Sequence, residues 1–223
     1  RNGIQVTAIC GSEKARPVAK KWNIPNVFTG YDYEALVNCE DVDVVHITSP
    51  NKGHYPQSIA ALQAGKHVLC EKPIALSSSE AKQLLQASRQ KPHLAIMEAF
   101  MYRFHPQWVQ AKKWVQEGKV GVLKTIHSFF SYYNADPNNI RNQKDLGGGG
   151  LMDSGCYCIS LSRFIFNAEP VRVMGRVDYD AVMETDTLSS GMLDFAAGTS
   201  TFTCSTQLMP YQRVNKLGTE GRV

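Results

Sequence analysis

The order of the hydrophobic patterns constrains this chain most. Residues 4–10 read as a buried strand, and Gly11-Ser12 turns the chain. Residues 13–22 read as a helix with Ala15, Val18, Ala19 and Trp22 on one face, Ser12 at its N-cap and Glu13 in its first turn. Val27-Phe28 is a short strand and residues 31–39 a helix. Residues 42–48 are rich in valine and isoleucine and read as a central parallel strand covered on both faces. Residues 55–64 form the next helix, closed by Gly65 in the C′ position. Residues 67–70 and 94–97 are strands on either side of a helix over 77–89 that starts at Ser77.

Strands that alternate with helices are joined by crossovers rather than hairpins, which makes a parallel sheet with helices on both sides. The second half changes pattern. Strand follows strand over residues 122–133 and 171–204, with a helix over 151–166 between them. Residues 188–195 and 199–204 are joined by Ala196-Ala197-Gly198, a turn sized for a hairpin. The expected fold is α/β. An incomplete, doubly wound parallel sheet over residues 1–101 precedes an α+β domain with a largely antiparallel open sheet and one or two helices over 102–223.

Composition enters as an exclusion. Apolar residues make up 43% of the 223 and charged residues 20%, so the chain can bury a core and is not disordered. No apolar run approaches the ~20 residues of a membrane span. No signal peptide is expected after Arg1-Asn2-Gly3. The net charge of +4 comes from scattered lysines and arginines, which argues against a nucleic-acid surface. The six cysteines form no CxxC pair, so no metal site is expected; they read as reduced thiols of a cytoplasmic protein.

Three segments could carry chemistry. Ser49-Pro50-Asn51-Lys52-Gly53-His54 is a polar stretch after a parallel strand, where such sheets bind ligands; it is equally an ordinary loop with a helix cap. Glu71-Lys72-Pro73 follows the next strand and offers a candidate acid/base or electrostatic lysine, or a solvated ion pair. Asp153 and Tyr157 lie four apart, on one face of a helix, after Gly147-Gly148-Gly149-Gly150. Four glycines leave backbone free to approach a ligand. Asp153 could instead satisfy the free N–H groups of the helix start, with Tyr157 packed in the core.

Taken together, and in this order and spacing, these segments resemble the glucose–fructose oxidoreductase / inositol dehydrogenase (Gfo/Idh/MocA) family. Asp136-Pro137-Asn138-Asn139-Ile140-Arg141-Asn142, Thr206 through Val214 and Gly218-Thr219-Glu220-Gly221-Arg222 extend the resemblance over essentially the whole chain. Within the family the chain looks most like the dihydrodiol dehydrogenase and D-xylose dehydrogenase group. The resemblance implies NAD(P)-dependent oxidation of a secondary alcohol of a sugar or diol, or the reverse reduction. It implies Lys72 as the catalytic lysine, Tyr157 as general acid/base and Asp153 as the substrate-orienting carboxylate, with Phe104 and Arg141 also at the substrate. It places Ser49, Pro50, Asn51, His54, Glu71, Pro73 and Arg103 at the cofactor, and implies a homodimer or higher homo-oligomer. A catalytically silent binding subunit and a nicotinamide-sensing regulator are the alternatives.

In such a domain the segment after the second strand meets the adenosine ribose, and basic or hydroxyl groups there accommodate a 2′-phosphate. Here that segment holds Gly11, Ser12, Lys14 and Arg16, with Glu13 as the only acid. The expectation is NADP, with NAD as the alternative. The family's first strand and glycine-rich phosphate loop have no counterpart before Ile4. Family chains also continue past the segment that ends at Val223. The expectation is an internal part of a longer chain; a polypeptide starting at Arg1 is expected to bind cofactor poorly and to show little activity.

Overall fold

A computed structural model describes residues 3–223; Arg1 and Asn2, where the expected cofactor domain begins, lie outside the described residues. The chain divides into two compact units between Ala99 and Phe100. Each is described by itself.

In the first unit β1 (Ala8–Cys10) pairs in parallel with β2 (Asn26–Phe28). A second parallel sheet runs β3 (Val44–Ile47), β4 (His67–Cys70), β5 (Ile96–Glu98), in that order. The connections carry α1 (Ala15–Trp22), α2 (Tyr33–Val37), α3 (Asn51–Gln63) and α4 (Ser78–Gln90). Parallel neighbours cannot be joined by tight turns, so each crossover carries a helix. The start of α4 is set locally. Glu80 N donates to Ser77 Oγ (3.1 Å) and Ser77 N to Glu80 Oε2 (3.2 Å), a reciprocal cap. Gly65 follows α3 with φ +78°, the left-handed position expected of it.

The core of this unit joins Val45 and Ile47 of β3, Val68 and Cys70 of β4, Ala61 and Leu62 of α3, and Leu84 of α4. Three expectations are corrected. β3 is buried on one face only: Val45 and Ile47 point into the core, while Val44 is 56% exposed and His46 is exposed. In α1 only Ala15 and Ala19 are buried, and Val18 and Trp22 face outward. Its N-cap is Lys14. Ser12 instead forms the preceding turn, its carbonyl accepting from Ala15 N (2.9 Å) and its hydroxyl from Lys14 N (3.3 Å).

The second unit holds α5 (Pro106–Gln116), β6 (Leu123–Tyr133), α6 (Cys156–Phe166), β7 (Arg172–Tyr179), β8 (Asp186–Phe195), β9 (Gly198–Ser205) and β10 (Gln207–Gly218). The strands form one sheet, ordered β10-β6-β9-β8-β7. Only the β6–β9 pair is parallel. Phe195 pairs with Gly198, so Ala196-Ala197 makes the expected hairpin with two residues.

One face of the sheet packs on α6. Ile126, Leu193, Phe195, Phe202 and Cys204 meet Cys158, Leu161 and Ile165. The alternation of residues 199–207, mixed on both faces by composition, resolves here: Ser200, Phe202 and Cys204 are buried. Ser162 and Ser200 satisfy each other inside this core at 2.7 Å. Residues 209–213 lie inside β10, which is bulged between Gln207 and Tyr211. Among the described residues no helix is long and apolar enough to cross a membrane.

Candidate active site

In the first unit, three segments leave the C-terminal ends of β3, β4 and β5. The polar stretch after β3 is largely not a loop. Asn51, Lys52, Gly53 and His54 form the first turn of α3, with Pro50 at the N-cap and no side chain capping the helix. Ser49 Oγ donates to Gln57 Oε1 (3.0 Å). His54 is 1% exposed. Its Nδ1 lies 2.7 Å from the Pro73 carbonyl and its Nε2 2.8 Å from the Ser49 carbonyl. A neutral imidazole has one N–H and donates to one of these carbonyls; a doubly protonated ring donates to both. Either way His54 ties the segment after β3 to the one after β4.

That second segment carries Glu71, Lys72 and Pro73, with a cis peptide between the last two. Glu71 N donates to Ile47 O (2.9 Å), and Ile74 N to Glu98 Oε1 (2.8 Å). The turn that bears the half-buried Lys72 is thus held by His54 on one side and by Glu98, at the end of β5, on the other. Glu98 was not singled out from the sequence. An acid at the C-terminal end of a parallel strand was the available signal.

At the other sheet, Gly11 is fixed between strands: its N–H donates to Phe28 O (3.0 Å) and its carbonyl accepts from Tyr31 N (3.0 Å). Arg16 Nε donates to Glu13 Oε2 (2.8 Å) and Nη2 to Thr29 Oγ1 (3.3 Å). The hydrogen bond from Arg16 holds the Glu13 carboxyl below its usual range. The only acid of this segment is therefore paired, while Lys14 is exposed. An uncapped helix N-terminus, hydroxyls and cations at strand ends form a donor set that fits the polar parts of a dinucleotide.

In the second unit the helix expected over 151–166 has a defect. Leu151–Gly155 is a π turn, and α6 continues from it. Asp153 sits on that turn, and its carboxylate does not cap the helix. Asp186 does so, accepting from Leu151 N (2.6 Å) and from Ser189 Oγ (3.0 Å). Asp153 Oδ2 accepts from Tyr132 Oη (2.5 Å), and Oδ1 from Arg141 Nε (3.2 Å). Burial, then the hydrogen bond to Asp153, pushes the Tyr132 hydroxyl up, so it stays a donor. The glycines are explained within the unit. A side chain at Gly148 would collide with the Arg141 carbonyl, and one at Gly149 (φ +122°) with the Asp186 carboxylate. The close approach expected toward a ligand is, in the structure, an approach to these two groups.

The half-buried Tyr157 ring packs among Phe100 (centroids 5.3 Å apart), Phe130 (5.9 Å) and Tyr102 (6.1 Å). Aromatic packing on three sides fixes the ring. The structure thus brings Asp153 and Arg141 into one network, with Tyr157 on the same chain segment. Arg103 lies elsewhere, its guanidinium 5.0 Å from the Phe164 ring at a cavity of about 350 Å³ that also involves Lys112, Arg163 and Asn167. Phe104 is 68% exposed. Tyr132 and Asp186 were missed from the sequence. For Tyr132 the signal was a phenol on the core-facing row Ile126, Ser128, Phe130, Tyr132. All six cysteines are free thiols. Among the described residues no cluster of His, Cys, Asp and Glu could hold a metal ion.

Comparison with known proteins assigns the class. Residues 1–99 match the oxidoreductase family, NAD-binding Rossmann fold, and residues 108–223 the GFO/IDH/MocA C-terminal domain. The chain belongs to the Gfo/Idh/MocA family. It is 36% identical to the trans-1,2-dihydrobenzene-1,2-diol dehydrogenase of Xenopus laevis over 74% of this chain and 49% of that one. It is 36% identical to D-xylose 1-dehydrogenase (NADP(+)) 2 of Haloferax volcanii, over 87% of this chain and 59% of that one. The fold superposes on a crystal structure of aldose-aldose oxidoreductase from Caulobacter crescentus, complexed with glycerol. That match has a TM-score of 0.90 and 26% identity, covering 98% of this chain and 68% of that one. The chain spans about half to two thirds of the length of the curated relatives it matches.

Proposed function

We propose that this protein is an NADP-dependent oxidoreductase that interconverts a secondary alcohol of a sugar such as D-xylose, or of a trans-dihydrodiol, with its carbonyl. The observation that carries the reading is the Asp153 carboxylate, taken up by Tyr132 and Arg141 instead of the helix end, one turn before Tyr157. A carboxylate fixed this way is preorganised to accept a hydrogen bond from a substrate hydroxyl. Tyr157 exchanges the proton of the reacting hydroxyl. The Lys72 ammonium favours negative charge developing on that oxygen. Arg141 and Phe104 border the substrate. A bound nicotinamide dinucleotide supplies the redox chemistry that the chain's own side chains lack.

Ser49, Pro50, Asn51, Glu71 and Pro73 would hold the cofactor, with His54 acting through the carbonyls it ties together; Arg103, stacked on Phe164, is not counted with them. Gly11, Ser12, Lys14 and Arg16 would hold its adenosine end. Pairing with Arg16 occupies Glu13, the acid of that segment, which supports NADP. In a titration at equal ionic strength NADP is expected to bind about tenfold more tightly than NAD, the worth of one charge-assisted contact. Tighter binding of NAD would refute the preference.

The sheet face away from α6 carries Thr125, His127, Thr199, Thr201 and Thr203. His127 Nδ1 lies 2.6 Å from Thr201 Oγ1. This polar face supports a homo-oligomer, which we place in the cytoplasm. Light scattering should give a multiple of the chain mass, and a monomer mass would exclude it.

A further inference from the structure

We infer that Tyr132 is a positioning residue of the site: through its hydroxyl it holds the Asp153 carboxylate in the orientation that meets substrate. The inference rests on the role proposed for Asp153.

Tyr132 and Arg141, which both donate to that carboxylate, differ in their footing. Arg141 lies on a short 3-10 turn, Ile140–Asn142, and its side chain is 46% exposed. A solvated guanidinium on a turn is a loose anchor, and exposed ion pairs contribute little. Tyr132 comes from β6, a strand paired on both sides. Ser131 pairs with Ser205 and Tyr133 with Gln207, so the backbone on each side of Tyr132 is fixed. Ser131 Oγ further ties β6 to the bulge of β10 by donating to Met209 O (2.6 Å). The ring is half-buried, and its hydroxyl makes a short bond to a charged acceptor, the stronger class of hydrogen bond. Sites built on strands are placed more sharply than sites on loops.

The π turn makes this anchor necessary. Asp153 sits where the helix is least regular, so backbone geometry alone does not fix the carboxylate. Nor does the helix cap, because Asp186 takes that role. Tyr132 and Arg141 both act on the plane of the carboxylate, and Tyr132 is the firmer of the two.

The test compares Tyr132→Phe, Asp153→Asn and the double variant in steady-state turnover of sugar or diol with NADP, across pH. Tyr132→Phe removes one oxygen and keeps the ring. Its kcat should fall about tenfold with KM little changed. The acid limb of its pH profile should move to higher pH, because the carboxylate has lost a donor that favours its charged form. In the Asp153→Asn background the same change should cost less than about twofold. Wild-type turnover and an unmoved pH profile in Tyr132→Phe, beside a crippled Asp153→Asn, would overturn this inference alone. Full turnover in Asp153→Asn would overturn the reading of the site, and this inference with it. A second readout needs no activity. Ultraviolet difference spectra at neutral pH should show one tyrosine band shifted between Asp153→Asn and the parent protein, a shift absent when the double variant is compared with Tyr132→Phe. No such change would also overturn the inference.

Discussion

Exchange of Lys72 for methionine is expected to lower kcat by about 10²–10⁴-fold, the range for loss of a positioned proton-transfer or charge-stabilising group. The fold should survive. The turn that carries Lys72 is held through backbone groups that the substitution leaves in place: the Pro73 carbonyl at His54, the Ile74 amide at Glu98, and the Glu71 amide at the Ile47 carbonyl. Methionine keeps the length and most of the apolar stem. The free energy of unfolding should therefore stay within about 1 kcal/mol of the parent's. The pair of results separates an enzyme from a silent binding subunit. A silent subunit shows no turnover before the change and none after it. Turnover within a few-fold of the parent would remove Lys72 from the chemistry.

A second large effect is expected above neutral pH. Burial pushes the thiols of Cys70 and Cys204 up to about 12 and that of Cys158 to about 11. In the unfolded chain a thiol ionises near 8.5. Between those values the fold keeps a proton that the unfolded chain has released. Each thiol then contributes stability that is present in full below about pH 8.5 and is lost as pH rises, at about 1.4 kcal/mol per pH unit. Tyr102 and Tyr132, whose hydroxyls burial also pushes up, act in the same direction. Lys216 opposes them. Burial over the Trp108 ring lowers it, so it adds stability as pH rises through its folded value. Three thiols outweigh one amine. Urea midpoints should fall steeply above about pH 9 for a domain of ordinary stability. Replacing Cys70, Cys158 and Cys204 together with alanine should flatten that fall. An equally steep fall in the triple variant would show that other groups drive it.

Much of the fold was legible where local signals were strong. The strand at His67–Cys70 and the helix opening at Ser77 follow from a β-rich apolar run and a capping box, both short-range features. β10 was not legible. It lies at the sheet edge, its pattern is broken by Pro210, and a bulge shifts its register there. The burial of β3 was misjudged because a run rich in valine and isoleucine does not say how many of its faces are covered.

The candidate site divides in the same way. Lys72, Asp153 and Tyr157 stood out by identity and spacing. Tyr132, Glu98 and Asp186 did not, since their partners lie 21, 24 and 35 residues away in sequence. A contact at that separation leaves no local pattern. The two readings of Asp153, helix cap or functional carboxylate, could be weighed only once Asp186 was seen at the helix end.

The most direct measurement follows a label. The protein is given NADP with D-xylose or a trans-dihydrodiol that carries deuterium on the carbinol carbon, and the nicotinamide is recovered for mass analysis. The account predicts deuterated, reduced nicotinamide from the parent protein and almost none from Lys72→Met. Cofactor that binds but returns unreduced and unlabelled from every sugar and diol tried would contradict it.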